Sequence, residues 1–232
     1  MTRRALILSL VGVVLAAAGL GAVGEGKWVS MFNGKDLAGW EGEPGWWSVQ
    51  NGLLTGQTTA DKPLKYPTYL FWRGGQPGDF EMRALYRLEG KGANSGINFR
   101  SKELPKWDVQ GYQADLEAGS GGISGILYEC NGRAIMTAQG QKVVIDEDGT
   151  RHVSPLADAA AVRKAIKADD WNEYVITAKG PEIVLKINGQ VTSHVIDREK
   201  GKAAARGLIT LQLHPGAPMK VQFKDLKVRE LK

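Results

Sequence analysis

The strongest constraint in this sequence is a two-residue alternation of apolar and polar side chains that recurs along the chain and is cut each time by glycine. Phe80, Met82, Ala84, Tyr86 and Leu88 are separated by Glu81, Arg83, Arg87 and Glu89, with Leu85 the exception. Successive side chains of an extended strand point to opposite faces, so this is the pattern of a half-buried strand. Segments 97–100, 112–117, 126–129, 171–178, 183–187, 191–196, 208–213 and 219–228 read the same way. Asn188-Gly189 joins two of them, and Asn51-Gly52 plays the same part near the start; both pairs tolerate the positive φ of a two-residue hairpin. The 232 residues include 30 glycines, about twice the usual ~7%, which suits many tight turns. One helix is expected, in the Ala-rich stretch 156–167, short and on the surface.

No βαβ alternation, linker or charge block interrupts this pattern. It predicts an all-β domain over residues 25–232, two antiparallel sheets packed face to face as a sandwich or jelly roll. With 43% apolar residues the chain can bury a core without metal or disulfide help. The lone Cys130 has no intrachain partner.

Residues 1–24 read differently. Arg3 and Arg4 precede an apolar stretch from Ala5 to Leu20, and the small residues Gly21, Ala22, Val23 and Gly24 follow. This pattern is that of a secretory signal cut after Gly24 or a few residues earlier, giving a periplasmic or secreted protein with no stable membrane insertion. The alternative is a retained anchor, since the stretch is about long enough for a ~30 Å hydrocarbon layer. No Cys follows it to accept a lipid, and Arg3-Arg4 is only a loose twin-arginine match. Removing the two arginines takes the formal charge from +5 to +3. Lys and Arg are then interleaved with Asp and Glu instead of forming a stripe, so no nucleic-acid partner is expected.

In a bent sheet, function falls to polar residues that share a face. Strand parity puts Asn98 with Arg100, opposite Ile97 and Phe99. Gln113, Asp115 and Glu117 form a second row, and Thr210, Gln212 and His214 a third. A solvated outer face is one reading of these rows; a sugar-sized polar groove is the other. Retaining glycosidases of the jelly-roll kind carry two carboxyls on such a strand, about 5 to 5.5 Å apart across the scissile bond. Here the first position is Gln113, and an amide cannot be the nucleophile.

Other motifs offer less. Asp146-Glu147-Asp148-Gly149 has calcium-ligand residues but lacks the later Glu of a helix-loop-helix site, and reads as a hairpin turn. The glycine run 119–125 has no Gly-Lys-Ser/Thr ending, so it is no phosphate loop and reads as a rim. His152 and His194 have no metal-like spacing; no metal or cofactor is expected. Trp46, Trp47 and Trp72 could stack on sugars but more often pack as core or rim.

Several ordered motifs carry a family resemblance. They are Asn94-Ser95-Gly96-Ile97-Asn98-Phe99-Arg100-Ser101, Gly111-Tyr112-Gln113-Ala114-Asp115, Leu127-Tyr128-Glu129 with Gly132-Arg133, Trp171-Asn172-Glu173-Tyr174, and Leu211-Gln212-Leu213-His214 followed by Met219 to Leu226. From Trp28 to Lys232 the chain resembles the bacterial 3-keto-disaccharide hydrolase domain, which implies a concanavalin A-like jelly roll. It also implies a carbohydrate substrate already oxidised to a ketone at C3. Such a ketone acidifies the C2 proton, so cleavage can run by proton abstraction, expulsion of the C1 substituent and addition of water, without a covalent intermediate. That chemistry needs a base, a donor for the enolate oxygen and an acid. The matching positions offer His214 or Asp115 as base, Arg100 for the oxyanion and Glu129 as acid. Asn98, Gln113, Arg133 and Gln212 would position the sugar. The fold also hosts noncatalytic carbohydrate-binding modules, which remain the alternative.

Overall fold

The computed structural model describes residues 26–119 and 122–232. The leader and two residues of the glycine run, Ser120 and Gly121, lie outside the described residues. The first strands are β1 (Val29–Ser30), β2 (Trp40–Gly42), β3 (Trp47–Gln50), β4 (Leu53–Gln57), β5 (Thr68–Trp72) and β6 (Phe80–Glu89). There follow β7 (Asn94–Leu104), β8 (Asp108–Glu117), β9 (Leu127–Cys130), β10 (Ala134–Ile135), β11 (Gln141–Ile145) and β12 (Arg151–Pro155). After α1 (Ala159–Ala165) come β13 (Asn172–Lys179), β14 (Glu182–Ile187), β15 (Gln190–Asp197), β16 (Leu208–Leu213) and β17 (Lys220–Glu230).

These strands form two sheets, the jelly-roll sandwich expected from the alternation. One runs β12-β11-β15-β14-β13-β6-β17-β4-β3, with β1 beside β17; the other runs β10-β9-β8-β7-β16-β5-β2. Pairing is antiparallel except between β11 and β15. Asn188 and Gly189 take φ of 49° and 81°, and Asn51 and Gly52 take 52° and 77°, as their hairpins require. Asp146 to Thr150 closes the β11–β12 hairpin as a turn. The helix is shorter than the Ala-rich stretch: the Asp158 side chain accepts from the Ala160 N–H and fixes its start, the role short polar residues fill at an N-cap.

The core lies between the sheets. Ile97, Phe99, Ala114, Leu116, Ile209 and Leu211 of the second sheet meet Met82, Tyr86, Ile176, Leu185 and Phe223 of the first, all essentially fully buried. Each large side chain so placed contributes about 1.5–3 kcal/mol of burial. By parity, the residues between those of the second sheet face outward. There a second, smaller apolar cluster forms from Tyr69, Phe71, Val109, Cys130 and Leu208, with Trp107 and Tyr128 against it.

Candidate functional site

The outward face of the seven-stranded sheet is a groove of about 1180 Å³. Cross-strand register builds its floor. Tyr128, Gln113, Asn98 and Thr210 stand directly opposite one another on β9, β8, β7 and β16, so their side chains share a side. One step along the strands, Asp115, Gly96, Gln212 and Tyr69 form a second row. His214, just past the end of β16, lines the same groove.

The floor residues hydrogen-bond to one another. Asn98 Nδ2 donates to Gln113 Oε1 at 3.0 Å, and the Cys130 thiol donates to the same oxygen at 3.1 Å. With its oxygen so occupied, the Gln113 amide turns its Nε2 to Asp115 Oδ1 at 2.6 Å. Gln212 Nε2 donates to the Tyr69 hydroxyl at 3.0 Å. Gly96 makes room for this: a Cβ there would stand 2.5 Å from Gln113 Cδ, far inside van der Waals contact. The glycine therefore lets the Gln113 side chain lie across β7 toward Asp115.

Asp115 is 4% exposed and its hydrogen bond comes from a neutral amide. Burial pushes its carboxyl up to about 7, the nearby Glu117 charge adds to the rise, and the Gln113 hydrogen bond only partly offsets it. A carboxyl balanced between its two forms near neutral pH can both take and return a proton. The His214 ring holds Nδ1 at 2.7 Å from the Pro215 carbonyl oxygen. A carbonyl only accepts, so Nδ1 carries the hydrogen and Nε2 is the free nitrogen of the ring. Burial pushes the Cys130 thiol up to about 11, which leaves it protonated and unreactive at neutral pH. The Tyr69 phenol is likewise driven up by burial and stays neutral.

Of the residues expected to share this face, Gln113, Asp115, Gln212 and His214 line the groove, and Asn98 lies buried in its floor. Three others do not join them. Arg100 sits at a bulge, where the β7–β8 register shifts between Phe99 and Lys102, and has φ of 47°. A bulge breaks strict alternation, so Arg100 leaves the face of Asn98. Its guanidinium is bonded to the carbonyls of Gly78, Gly180 and Ala204 and to Asp79. Glu129 stands opposite Tyr112, not opposite Gln113, and so points to the other side of the sheet. There it pairs with Arg133 at 2.7 Å, and Arg133 also binds Asp197 and Glu199 at 2.7 and 2.9 Å. Arg100, Glu129 and Arg133 are thus anchors behind the groove, and the assignments of oxyanion donor, acid and sugar ligand do not fit their positions.

The groove also contains residues the sequence rows did not include. Parity applied to β9 would have found Tyr128, which faces Gln113. Trp46 lines the groove while Trp47 and Trp72 pack in the core. Lys65 and Tyr66 come from the loop before β5, and Lys106 and Trp107 from the β7–β8 turn; neither segment has periodicity that could have announced it. Among the described residues, no three His, Cys, Asp or Glu side chains are grouped to hold a metal ion. Nor is any helix among them long and apolar enough to cross a membrane.

The fold and groove define a jelly-roll protein with a buried, near-neutral carboxyl on its concave face. The chain belongs to the 3-keto-alpha-glucoside-1,2-lyase-like domain family, whose pattern it matches over residues 27–229. No match to a curated protein is found. Among solved structures, it is similar to a Parabacteroides distasonis protein called "Putative glycosyl hydrolase". The two are 17% identical, with a TM-score of 0.58 over 88% of this chain and 100% of the other. A Bacillus subtilis protein of unknown function with a galectin-like fold gives 12% identity and a TM-score of 0.55 over 84% and 90% of the two chains. The carbohydrate-binding module CBM66 of Bacillus subtilis gives 12% and 0.53 over 81% and 93%. At these identities the likeness is one of fold.

Proposed function

We propose that this protein cleaves 3-keto-glycosides by elimination and hydration, with Asp115 as the proton-transfer group. The carrying observation is the Asp115 carboxyl, pushed up to about 7 on the groove floor and held by Gln113. Family membership supports the substrate class. In this reading Asp115 takes the C2 proton, and the C–H electron pair forms an enolate with its charge on the C3 oxygen. Collapse of the enolate restores the C3 carbonyl, makes a C1=C2 double bond and breaks the bond from C1 to the leaving oxygen. Asp115 returns its proton to that oxygen. Water then adds across C1=C2: His214 Nε2 takes a proton from the water as its hydroxyl bonds to C1 and the C1=C2 electron pair moves onto the C3 carbonyl as an enolate, and that enolate collapses by taking one proton at C2 from the His214 imidazolium, which restores the neutral ring.

With Arg100 turned away, the enolate needs other donors. In this reading the donors are the amides of Gln113 and Gln212, which line the groove. Lys65 and Lys106 line the groove without an ion pair among the described residues and supply its positive charge. The leader of residues 1–24 supports export to the periplasm or beyond, and a mature N-terminus near Glu25 is the expected outcome of N-terminal sequencing.

The test is incubation with a 3-keto-disaccharide in heavy water. The expected result is release of monosaccharide with deuterium at C2. Cleavage without C2 deuterium would mean direct hydrolysis instead. Glycan binding without any cleavage would make this a binding module.

A further inference from the structure

The Gln113 amide stands at the end of a chain of hydrogen bonds that all run in one sense toward Asp115. Gln212 Nε2 donates to the Tyr69 hydroxyl at 3.0 Å, that hydroxyl to Cys130 Sγ at 3.7 Å, the Cys130 thiol to Gln113 Oε1 at 3.1 Å, and Gln113 Nε2 to Asp115 Oδ1 at 2.6 Å. Cys130 is the junction. Its sulfur accepts from Asn98 Nδ2 at 3.3 Å as well as from Tyr69, so its single hydrogen is left for Gln113. Asn98 Nδ2 adds a second bond to the same Gln113 oxygen at 3.0 Å. These five side chains come from five different strands, and all are buried, where bulk water does not replace a lost partner.

An amide has two ends to offer, and they suit opposite states of a carboxyl. With Nε2 forward Gln113 donates to the carboxylate; turned over, its Oε1 could only accept from the protonated acid. Turning it over strips the Cys130 and Asn98 hydrogens of their acceptor unless Asn98, Tyr69 and Gln212 turn as well. The other titratable groups about Asp115 are Glu117 on its own strand, Cys130 on β9, Tyr69 on β5, His214 beyond β16 and, across the core, Tyr174 on β13. Glu43, Lys65, Lys106 and Asp108 line the rest of the groove. Among the described residues none of these bonds to the Asp115 carboxyl, whose partner is Gln113.

Resting on the elimination reading above, we infer that Cys130 is a positioning residue for proton transfer: through this chain it holds the Gln113 amide with Nε2 toward Asp115, so that the carboxyl is kept as an anion ready to accept the C2 proton. Carboxyl-carbon NMR titration of Asp115 tests this in wild type, Cys130→Ala, Cys130→Ser, Gln113→Leu and the Gln113→Leu/Cys130→Ala double variant, beside the pH profile of kcat/KM on a 3-keto-disaccharide. Weakening a hydrogen bond donated to the carboxylate favours the protonated form. Cys130→Ala is therefore expected to raise the Asp115 midpoint by roughly 0.5 to 1 pH unit, the scale of one weakened hydrogen bond, and to carry the acid limb of kcat/KM to higher pH by the same amount. Cys130→Ser keeps a donor and should return both to within roughly 0.3 pH unit of wild type. Gln113→Leu should raise the midpoint at least as far, and adding Cys130→Ala to it should change nothing more, because the thiol acts through that amide. Thermal melting checks that each variant is folded. An unmoved midpoint in Cys130→Ala, or an equal rise with and without Gln113, overturns the inference and leaves the elimination reading intact. Midpoints that move as expected in a protein that cleaves no 3-keto-disaccharide overturn the elimination reading and leave the hold on Asp115 standing.

Discussion

Asp115 and Asp197 are both buried carboxyls beside the seven-stranded sheet, and the protein drives them in opposite directions. On the groove face Asp115 meets only an amide, and burial lifts its carboxyl to about 7. Behind the sheet, burial works to raise Asp197 too, but hydrogen bonds from Arg133 and Tyr112, with the Arg133 charge, outweigh it and hold Asp197 below the usual carboxylate range. One cation decides the difference. Behind the sheet the fold sets an arginine beside the carboxyl; on the groove face it withholds one. That division also explains the placement of Arg100, whose guanidinium is spent on backbone carbonyls at the end of the sandwich.

The largest expected effect is on the groove side. Asp115→Asn should lower turnover by roughly 100-fold or more, the range of a lost general base. It should also stabilise the fold at alkaline pH. Because the folded-state pKa of Asp115 lies above its unfolded value of 3.8, its contribution to stability is fully present below about pH 4 and is lost as pH rises through about 7. The asparagine never ionises, so the denaturant midpoint of wild type should fall relative to that of the variant as pH rises from about 4 to about 7 and stay lower above it.

The reverse holds behind the sheet. Arg133→Met leaves three carboxylates around an apolar side chain, and should cost about 3–5 kcal/mol in urea unfolding. Asp197 and Glu199 have folded pKa values below their ordinary ones, so their contribution is present at neutral pH and lost as pH falls below the usual carboxylate range. The penalty of Arg133→Met should therefore shrink in acid. A penalty independent of pH would break the comparison.

Gly96→Ala sharpens it. The new Cβ displaces the Gln113 amide, costing about 1–3 kcal/mol as overpacking. It also removes the hydrogen bond that lowers the Asp115 pKa, so the pH limb of kcat/KM should move to higher pH. The smallest effect on chemistry is expected from Arg100→Lys. A point charge cannot reproduce the fork of donors to three carbonyls, so stability falls by about 1–3 kcal/mol. Turnover of the folded variant should nevertheless stay within about threefold of wild type. A 100-fold loss in kcat at unchanged KM would restore Arg100 to the reaction.

The fold was legible because alternation and turn residues are local signals. The strand expected at 208–213 is β16 residue for residue, and both Asn-Gly hairpins fall where expected. The site was legible wherever parity runs unbroken, as along Gln113 and Asp115 or Gln212 and His214. It failed at Arg100, where one extra residue in β7 turns a side chain to the other face; the glycines that fit against the bulge, Gly111 and Gly207, lie outside β7 itself. It failed at Glu129 for a different reason: a carboxylate two residues before the Asn131-Gly132 turn is placed by chemical need and not by its cross-strand partner, Tyr112. The aromatic end of the groove depends on how far a hairpin bends over a sheet, which no local pattern encodes.

The most direct measurement is a carboxyl-carbon NMR titration of the aspartates, with Asp115→Asn used to assign the Asp115 signal. The contrast predicts an Asp115 midpoint near 7 and an Asp197 midpoint below the ordinary aspartate value in the same sample. An Asp115 midpoint near 4, in line with an ordinary solvated carboxylate, would contradict the claim that the groove holds a carboxyl poised for proton transfer.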